Sequence, residues 1–299
     1  MKKLAYVAFV ALGLIWGSNF IFVKWAAAYI TAGQIVLLRV LFGLVPVLVY
    51  AAATQSLSWA HLRHAHHFTV MSLLATAVYY AAFAQGTVLL PSSIAGMLSG
   101  SIPLFTFVCA FLFLHEEPIS GRAAMGVGLG FIGVLTIARP WNSTAFDING
   151  VLFMIAGSLS VGCSFVYAKK FITPLKLPAA ALTTYQIGIA AILLSLVTDF
   201  HNLNAVFTDN RAWIGLVVGL GLCGTGLAYV IYYFIVEKLG AVTAASVTYL
   251  PPLVALFIGL IVGDALDALD LVAMFLILAG VVILQTANRR VTPSRAKAL

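Results

Sequence analysis

Few polar residues fall inside the long apolar runs of this chain, and their types limit the chemistry open to it. Arg39 is the one formal charge well inside such a run. An ionisable residue at that depth is a functional candidate by default. It can attract the carboxylate of a solute, or it can serve packing by hydrogen bonding to helix ends or a neighbouring segment. Aromatic and hydroxyl groups recur in matched sets. Tyr79, Tyr80 and Phe83 form one, and Tyr229, Tyr232 and Tyr233 the other, with Tyr80 falling on Tyr229 and Phe83 on Tyr232 at an offset of 149. The same offset brings Ser99 onto Thr248. Trp16 and Asn19, three residues apart, offer a ring and an amide on one helical face, and Ser164 with Tyr167 makes the equivalent pair. Ring planes with nearby hydroxyls suit a solute that has an apolar body and polar head groups.

Other chemistries find little support. Gly162-Cys163-Ser164 faintly resembles the nucleophile of an intramembrane serine protease, which would need a histidine base at bilayer depth. All six histidines (His61, His64, His66, His67, His115, His201) lie in loops or at the ends of apolar runs. HExxH, paired intramembrane aspartates and a phosphate-cradling Gly-Lys motif do not occur, so neither catalysis nor a cofactor is expected. The cluster from His61 to His67 has no carboxylate or cysteine beside it and reads as a solvated loop rather than a metal site. Cys109, Cys163 and Cys223 read as free buried thiols.

What must position these groups is a set of membrane-spanning helices. Hydrophobic residues make up 63% of the 299 and charged ones 8%, far from the usual quarter charged for a soluble domain. About ten runs reach the roughly 20 residues needed to cross a 30 Å hydrocarbon core. The first, after Lys2-Lys3 and before Ala26-Ala27-Ala28, superficially matches a cleavable signal. Its apolar stretch is too long for that and holds polar Ser18 and Asn19, so it reads as a retained helix. The expected class is an all-α polytopic membrane protein with the lipid bilayer as its solvent. Threading ten spans from a cytoplasmic N-terminus puts twelve of the sixteen basic residues, among them Lys2, Arg63, Lys169, Lys238 and Arg290, on the cytoplasmic side. Only Lys24, Arg139 and Arg211 fall on the other side, which selects N-in and C-in. The basic tail, 289–299, then reads as an orientation anchor, and no nucleic-acid partner is expected.

The spans repeat. Tyr80 to Leu104 matches Tyr229 to Leu253, with Pro103 on Pro252 deep inside an apolar run in each copy. Trp16 to Lys24 resembles Val161 to Lys169, Gly133 falls on Gly280, and Arg39 aligns with Gln186. Residues 1–139 and 150–288 are therefore two five-helix repeats. Five is odd, so the second copy enters the membrane inverted, which creates one midplane site with two equivalent outlets. Pro103 and Pro252 are candidate hinges. The GxxxG step Gly126/Gly130 and the pair Gly215/Gly219 predict close helix contacts. They serve packing inside the bundle or, for the fifth span, a homodimer face, so monomer and homodimer both stay open.

These pieces are similar to the drug/metabolite transporter superfamily, in its ten-helix EamA-type branch, and especially to the amino-acid exporters related to YddG. The resemblance rests on GLIWGSNFIFVK in span one, LLRVLFG with Arg39, TYQIGIAAILL with Gln186, EPIS at residues 117–120, and LILAGVVIL in span ten. It covers essentially the whole chain. One departure is Gly263-Asp264, where the family often carries Gly-Glu. The resemblance implies export of amino acids or related small metabolites across a bacterial inner membrane. It also implies a cavity lined by spans one, three, four, six, eight and nine, with five and ten peripheral. A nucleotide-sugar or drug carrier is the alternative within the superfamily. A solute-sensing receptor without net transport is the alternative outside it, and it lacks any attached signalling domain.

Overall fold

A computed structural model describes residues 2–114, 121–139, 141, 147–240, 243–244 and 246–289, and every regular element among them is helical. Residues 117–120, His115, the connection around Asn142 and the basic tail beyond 289 lie outside the described residues. Among the described residues, nine helices are long and apolar enough to cross a membrane: α1 (Lys3–Ala27), α2 (Ala32–Ala53), α3 (Trp59–Leu89), α4 (Ser92–Leu114), α5 (Gly121–Ala138), α6 (Ile148–Leu175), α7 (Ala179–Val197), α8 (Asn210–Leu239) and α10 (Ala268–Thr286). The ninth in order, α9 (Ser246–Val262), is apolar but shorter over its described residues.

Helix starts follow local chemistry. Thr31 and Gln34 form a reciprocal capping box on α2, while Asp147 and Asp209 accept from backbone N–H groups at the starts of α6 and α8. Each bond satisfies a donor that a helix N-terminus would otherwise leave bare in or near lipid. Contacts between helix ends define two faces. On the face where α1 starts, Tyr185 of α7 bonds Ser58 and Tyr233 of α8 bonds the Ala179 carbonyl. On the far face, Gln34 donates to the carbonyls of Asp199 and His201, and Arg139 clamps Asp267 and Asp270. The hydrogen bond from Arg139 holds the Asp267 carboxyl below its ordinary range.

The largest helix contacts follow one symmetry. The pair α2/α8 answers α7/α3, α1/α8 answers α6/α3, and α1/α9 answers α6/α4. The pairs α4/α9, α5/α10 and α2/α7 answer themselves. That is the contact pattern of two five-helix repeats exchanged by a pseudo-two-fold, and an odd helix number makes the copies inverted across the bilayer. The glycine face of α5 is covered by α10. A Cβ at Gly126 would lie 2.7 Å from the Gly280 carbonyl oxygen, and one at Gly280 would lie 2.6 Å from the Gly130 nitrogen. These backbones touch only because both carry glycine, so the GxxxG step packs inside the bundle.

The winding breaks at matched places. Leu73–Ala77 of α3 and Gly215–Leu227 of α8 are π-helical, and the first maps into the second at the repeat offset. In α4, helix Ser92–Ser99 stops and Ile102–Leu114 begins, which puts Pro103 in the first turn of the second piece. In α9, a 3-10 turn over Ser246–Tyr249 precedes Leu250–Val262, with Pro251 and Pro252 in its first turn. A first turn needs no N–H from proline. The prolines therefore sit where a helix restarts rather than leaving broken bonds in its middle. A Cβ at Gly100 would meet the Pro252 ring at 3.2 Å, so the two breaks lie against each other.

Candidate functional site

Between the repeats lies a cavity of about 670 Å³. Trp16, Asn19 and Phe20 reach it from α1, and Tyr79, Tyr80, Phe83 and Thr87 from α3. From the second repeat come Tyr229 and Tyr232 on α8 and Thr248 on α9, while Ser99 and Pro103 complete the wall on α4. The π-helical segments touch it at one repeat-related point, Ala75 in α3 and Gly224 in α8. π-turns are frequent at functional sites because they re-aim the residues around them.

Aromatic rings set the shape. Tyr79 stands edge-on to Phe83 at 4.6 Å between centroids, Trp16 faces Tyr232 at 6.2 Å, and Phe20 faces Phe83 at 6.3 Å. Arg39 enters from α2, half-buried, with its guanidinium carbon 3.9 Å above the Tyr80 ring. Its Nε donates to Thr225 Oγ1 at 2.9 Å. Thr225 Oγ1 in turn donates to the Leu220 carbonyl five residues back, which is the spacing of the π-turn. The Asn19 amide satisfies both neighbours when Nδ2 donates to the Ile15 carbonyl (3.2 Å) and its oxygen accepts from Arg39 Nη2 (3.3 Å). A Cβ on Gly224 would lie 2.4 Å from the end of the Asn19 side-chain amide, so glycine is what lets α8 approach it. Two of the five guanidinium N–H groups are committed in this way. Among the described residues, no carboxylate and no histidine lines the cavity.

Three expected site residues lie elsewhere. Ser164 is fully buried and donates to the Val161 carbonyl at 2.7 Å, so its hydroxyl is spent within its own helix. Tyr167 turns to the opposite side of α6 and bonds His67 Nδ1 at 2.7 Å. Tyr233 is held by Thr183 and by the Ala179 carbonyl at the start of α7. Ser99 is at the wall, but its hydroxyl donates back to the Gly96 carbonyl. Of the hinge candidates, Pro103 lines the cavity and Pro252 packs behind it, with Pro251 in the wall instead. The peripheral spans five and ten also contribute, Ala123 and Gln285 standing at the cavity mouth. Phe20 and Thr87 were not singled out from sequence. Phe20 lies four residues after Trp16 and Thr87 four after Phe83, so helical spacing from the chosen residues would have found both.

The two ends of the cavity differ. Its lining runs out to Leu114, Lys169 and Gln285, all near the face where α1 starts. Toward the far face the helices close. Asp264 Oδ2 accepts from Ser92 Oγ (3.0 Å), Ser93 N (2.9 Å) and Ser93 Oγ (2.7 Å), tying the end of α9 to the start of α4. Beside it, Lys24 Nζ donates to the Val88 carbonyl at 2.9 Å and joins α1 to α3.

Comparison with known proteins agrees with this architecture. A crystal structure of another protein superposes with a TM-score of 0.59 over 97% of this chain and all of that one at 16% identity, a likeness of fold. An uncharacterized transporter of Archaeoglobus fulgidus is 22% identical over 90% of this chain and 94% of its own length. The uncharacterized inner membrane transporter YedA of Escherichia coli is 24% identical over 69% of this chain and 65% of its own length. The uncharacterized transporter YdfC of Bacillus subtilis is 23% identical over 89% and 86%. The EamA-like transporter family matches twice, over residues 3–139 and again over 148–286, one match per five-helix repeat. The chain is thus a multi-pass membrane protein that belongs to the EamA-like transporter family.

Proposed function

We propose that the protein exports amino acids or closely related small metabolites across a bacterial inner membrane, by alternating access around the central cavity. The observation that carries this reading is the cavity wall itself. Aromatic rings enclose the space, and one guanidinium, positioned by Thr225, Asn19 and Tyr80, supplies a fixed positive charge. A solute with an apolar body and a carboxylate matches that distribution. A guanidinium binds a carboxylate through charge-assisted hydrogen bonds, which are roughly twice as strong as neutral ones. A relative described as an inner membrane transporter supports the location.

With the N-terminus cytoplasmic, the open mouth at Lys169 and Gln285 faces the cytoplasm and the Asp264 cluster closes the periplasmic end. Transport then consists of parting Asp264 from Ser92 and Ser93 while the opposite mouth closes, with the helix restarts at Pro103 and Pro252 absorbing the change in angle. The cavity offers no titratable carboxylate or histidine among the described residues, so downhill flux is expected without an imposed pH gradient. Proteoliposomes loaded with a panel of labelled amino acids test all of this together. Saturable efflux of one or several of them at uniform pH is the expected result. Efflux of none while a nucleotide sugar or cationic drug moves would replace the substrate class, and binding without flux would turn the reading to a receptor.

A further inference from the structure

A second hollow of about 480 Å³ lies on the outside of the bundle, between α1 and α8 and away from the central cavity. Ile15, Ser18, Phe22 and Trp25 line one wall, a single stripe of α1 at three- and four-residue spacing, with Val218 and Arg211 on α8 opposite. From Ile15 to Trp25 the stripe is about 15 Å long at 1.5 Å per residue. That is half of a hydrocarbon core of about 30 Å, the depth of one leaflet. The polarity is graded along it. Arg211 and Asn210 begin α8 at the far face, Trp25 stands in the closing turns of α1 at the same level, and the remainder is largely apolar.

The repeat-related contact, between α6 and α3, is bridged by the protein's own side chains. Ser160, the counterpart of Ile15, donates to the Leu74 carbonyl across the gap at 2.8 Å. Tyr167, the counterpart of Phe22, bonds His67, and both rings pack on Phe171. Ile15 and Phe22 have no polar atoms with which to make those bridges, and the α1/α8 crevice stands open. A protein interior is close-packed, and a void forfeits contacts on every wall. At this depth in a bilayer, an acyl chain is what can fill it.

We propose that the α1/α8 groove is a specific site for an anionic phospholipid of the far leaflet, with one acyl chain along the Ile15–Trp25 stripe and its phosphate against Arg211. The lipid wedges the two helices that carry Trp16, Asn19 and Tyr229 into the cavity. The site does not depend on which solute is transported, and its test reads lipid rather than flux. The full chain, reconstituted in vesicles of equimolar phosphatidylglycerol and phosphatidylcholine and then extracted, is examined for co-purifying lipid by native mass spectrometry.

Wild type should retain phosphatidylglycerol in preference to phosphatidylcholine. Arg211→Gln should cut that preference about fivefold, the value of one basic residue at an anionic surface. Val218→Trp, which fills the groove from a lipid-facing position, should lose retained lipid of both kinds. Should Val218→Trp misfold, Arg211→Gln decides alone, since it changes an exposed side chain. Inorganic phosphate should leave thermal stability unchanged, because the headgroup is held through its chain. Equal retention of the two lipids by wild type, or an unchanged preference in Arg211→Gln, would mean ordinary annular lipid and overturn the proposal.

Discussion

Arg39 and Gln186 occupy matching points of α2 and α7, and each bonds a threonine on the π-helical part of the opposite repeat. Arg39 reaches Thr225 at 2.9 Å and Gln186 reaches Thr76 at 2.8 Å, with Thr76 and Thr225 themselves repeat-related. Backbone and hydrogen-bond geometry have been kept in both halves. The charge has been kept in one. Gln186 is buried and Arg39 is open to the cavity, so the same structural tie becomes part of the cavity wall on only one side. An inverted repeat thus supplies a symmetric frame, and single side-chain differences make the charge of the cavity wall and the hydrogen bonds at its far end unequal. The far end shows this as well. Ser92 and Ser93 hold Asp264 through hydroxyls, while the matching positions in the second repeat are Ala241 and Val242, which have none to give.

The largest expected effect tests whether the aromatic walls of the two halves act as one site. Trp16→Ala and Tyr80→Ala should each weaken apparent affinity by about 1–3 kcal/mol, or 5- to 150-fold. The measurement is saturable uptake in proteoliposomes, alongside a monodisperse elution profile. Unchanged uptake in both variants would remove the cavity from the transport path.

Next is the charge difference itself. Arg39→Gln makes the first half resemble the second. A hydrogen bond to a charged group contributes about 1.5–3 kcal/mol, so affinity for a carboxylate-bearing solute should fall tenfold or more. Gln186→Ala breaks only a buried neutral bond, costing about 1 kcal/mol of stability, and should leave affinity alone. Equal loss of affinity in the two would mean that both residues are structural pins and that the comparison has no functional content.

Much of this frame was legible in the sequence. Ten apolar runs, the offset of 149 and the paired prolines specify helices, repeat and inversion, because membrane spans must satisfy their own backbone and so leave a plain hydropathy record. The cavity lining was legible only where helical spacing carried it. Trp16 with Asn19, and Tyr80 with Phe83, share a face by position alone. Ser164, Tyr167 and Tyr233 lie off the cavity wall for a different reason. Residue type and symmetry placed them near the cavity, but each hydroxyl found a closer partner, in Val161, His67 and Thr183. Such contacts depend on helix rotation, which a π-turn changes and a hydropathy pattern does not record. Asp264 was legible as a helix-end acid but not as the far-face tie, since its partners lie some 170 residues away.

A smaller effect concerns the two ends. Asp264→Asn removes the charge that three donors share, and Ser93→Ala removes one donor at about 1 kcal/mol. In a background lacking Cys109, Cys163 and Cys223, a cysteine at Thr87 should react with an impermeant thiol reagent from the near face only. Asp264→Asn should open that cysteine to reagent from the far face, and Ser93→Ala should do so more weakly, by roughly fivefold in rate relative to the parent. Labelling that stays one-sided in both would show that the closed end is held by packing and not by this cluster.

The smallest effect should come from the histidines at the face where α1 starts. His64 and His66 lie on the 3-10 turn and first helical turn of α3, and neither lines the cavity. His64 makes a hydrogen bond with its neighbour Arg63, and His66 packs its ring on His67 at 4.0 Å. Surface substitutions outside special features usually change stability by no more than about 0.5 kcal/mol. His64→Ala with His66→Ala should therefore leave uptake within about twofold of wild type by that same margin. This variant is the counterweight to the aromatic ones, because it perturbs the opposite kind of region by the same chemical operation. If it abolishes uptake while Trp16→Ala and Tyr80→Ala keep theirs, the solute is recognised at the loop between α2 and α3, and the symmetric cavity is only the frame around some other path.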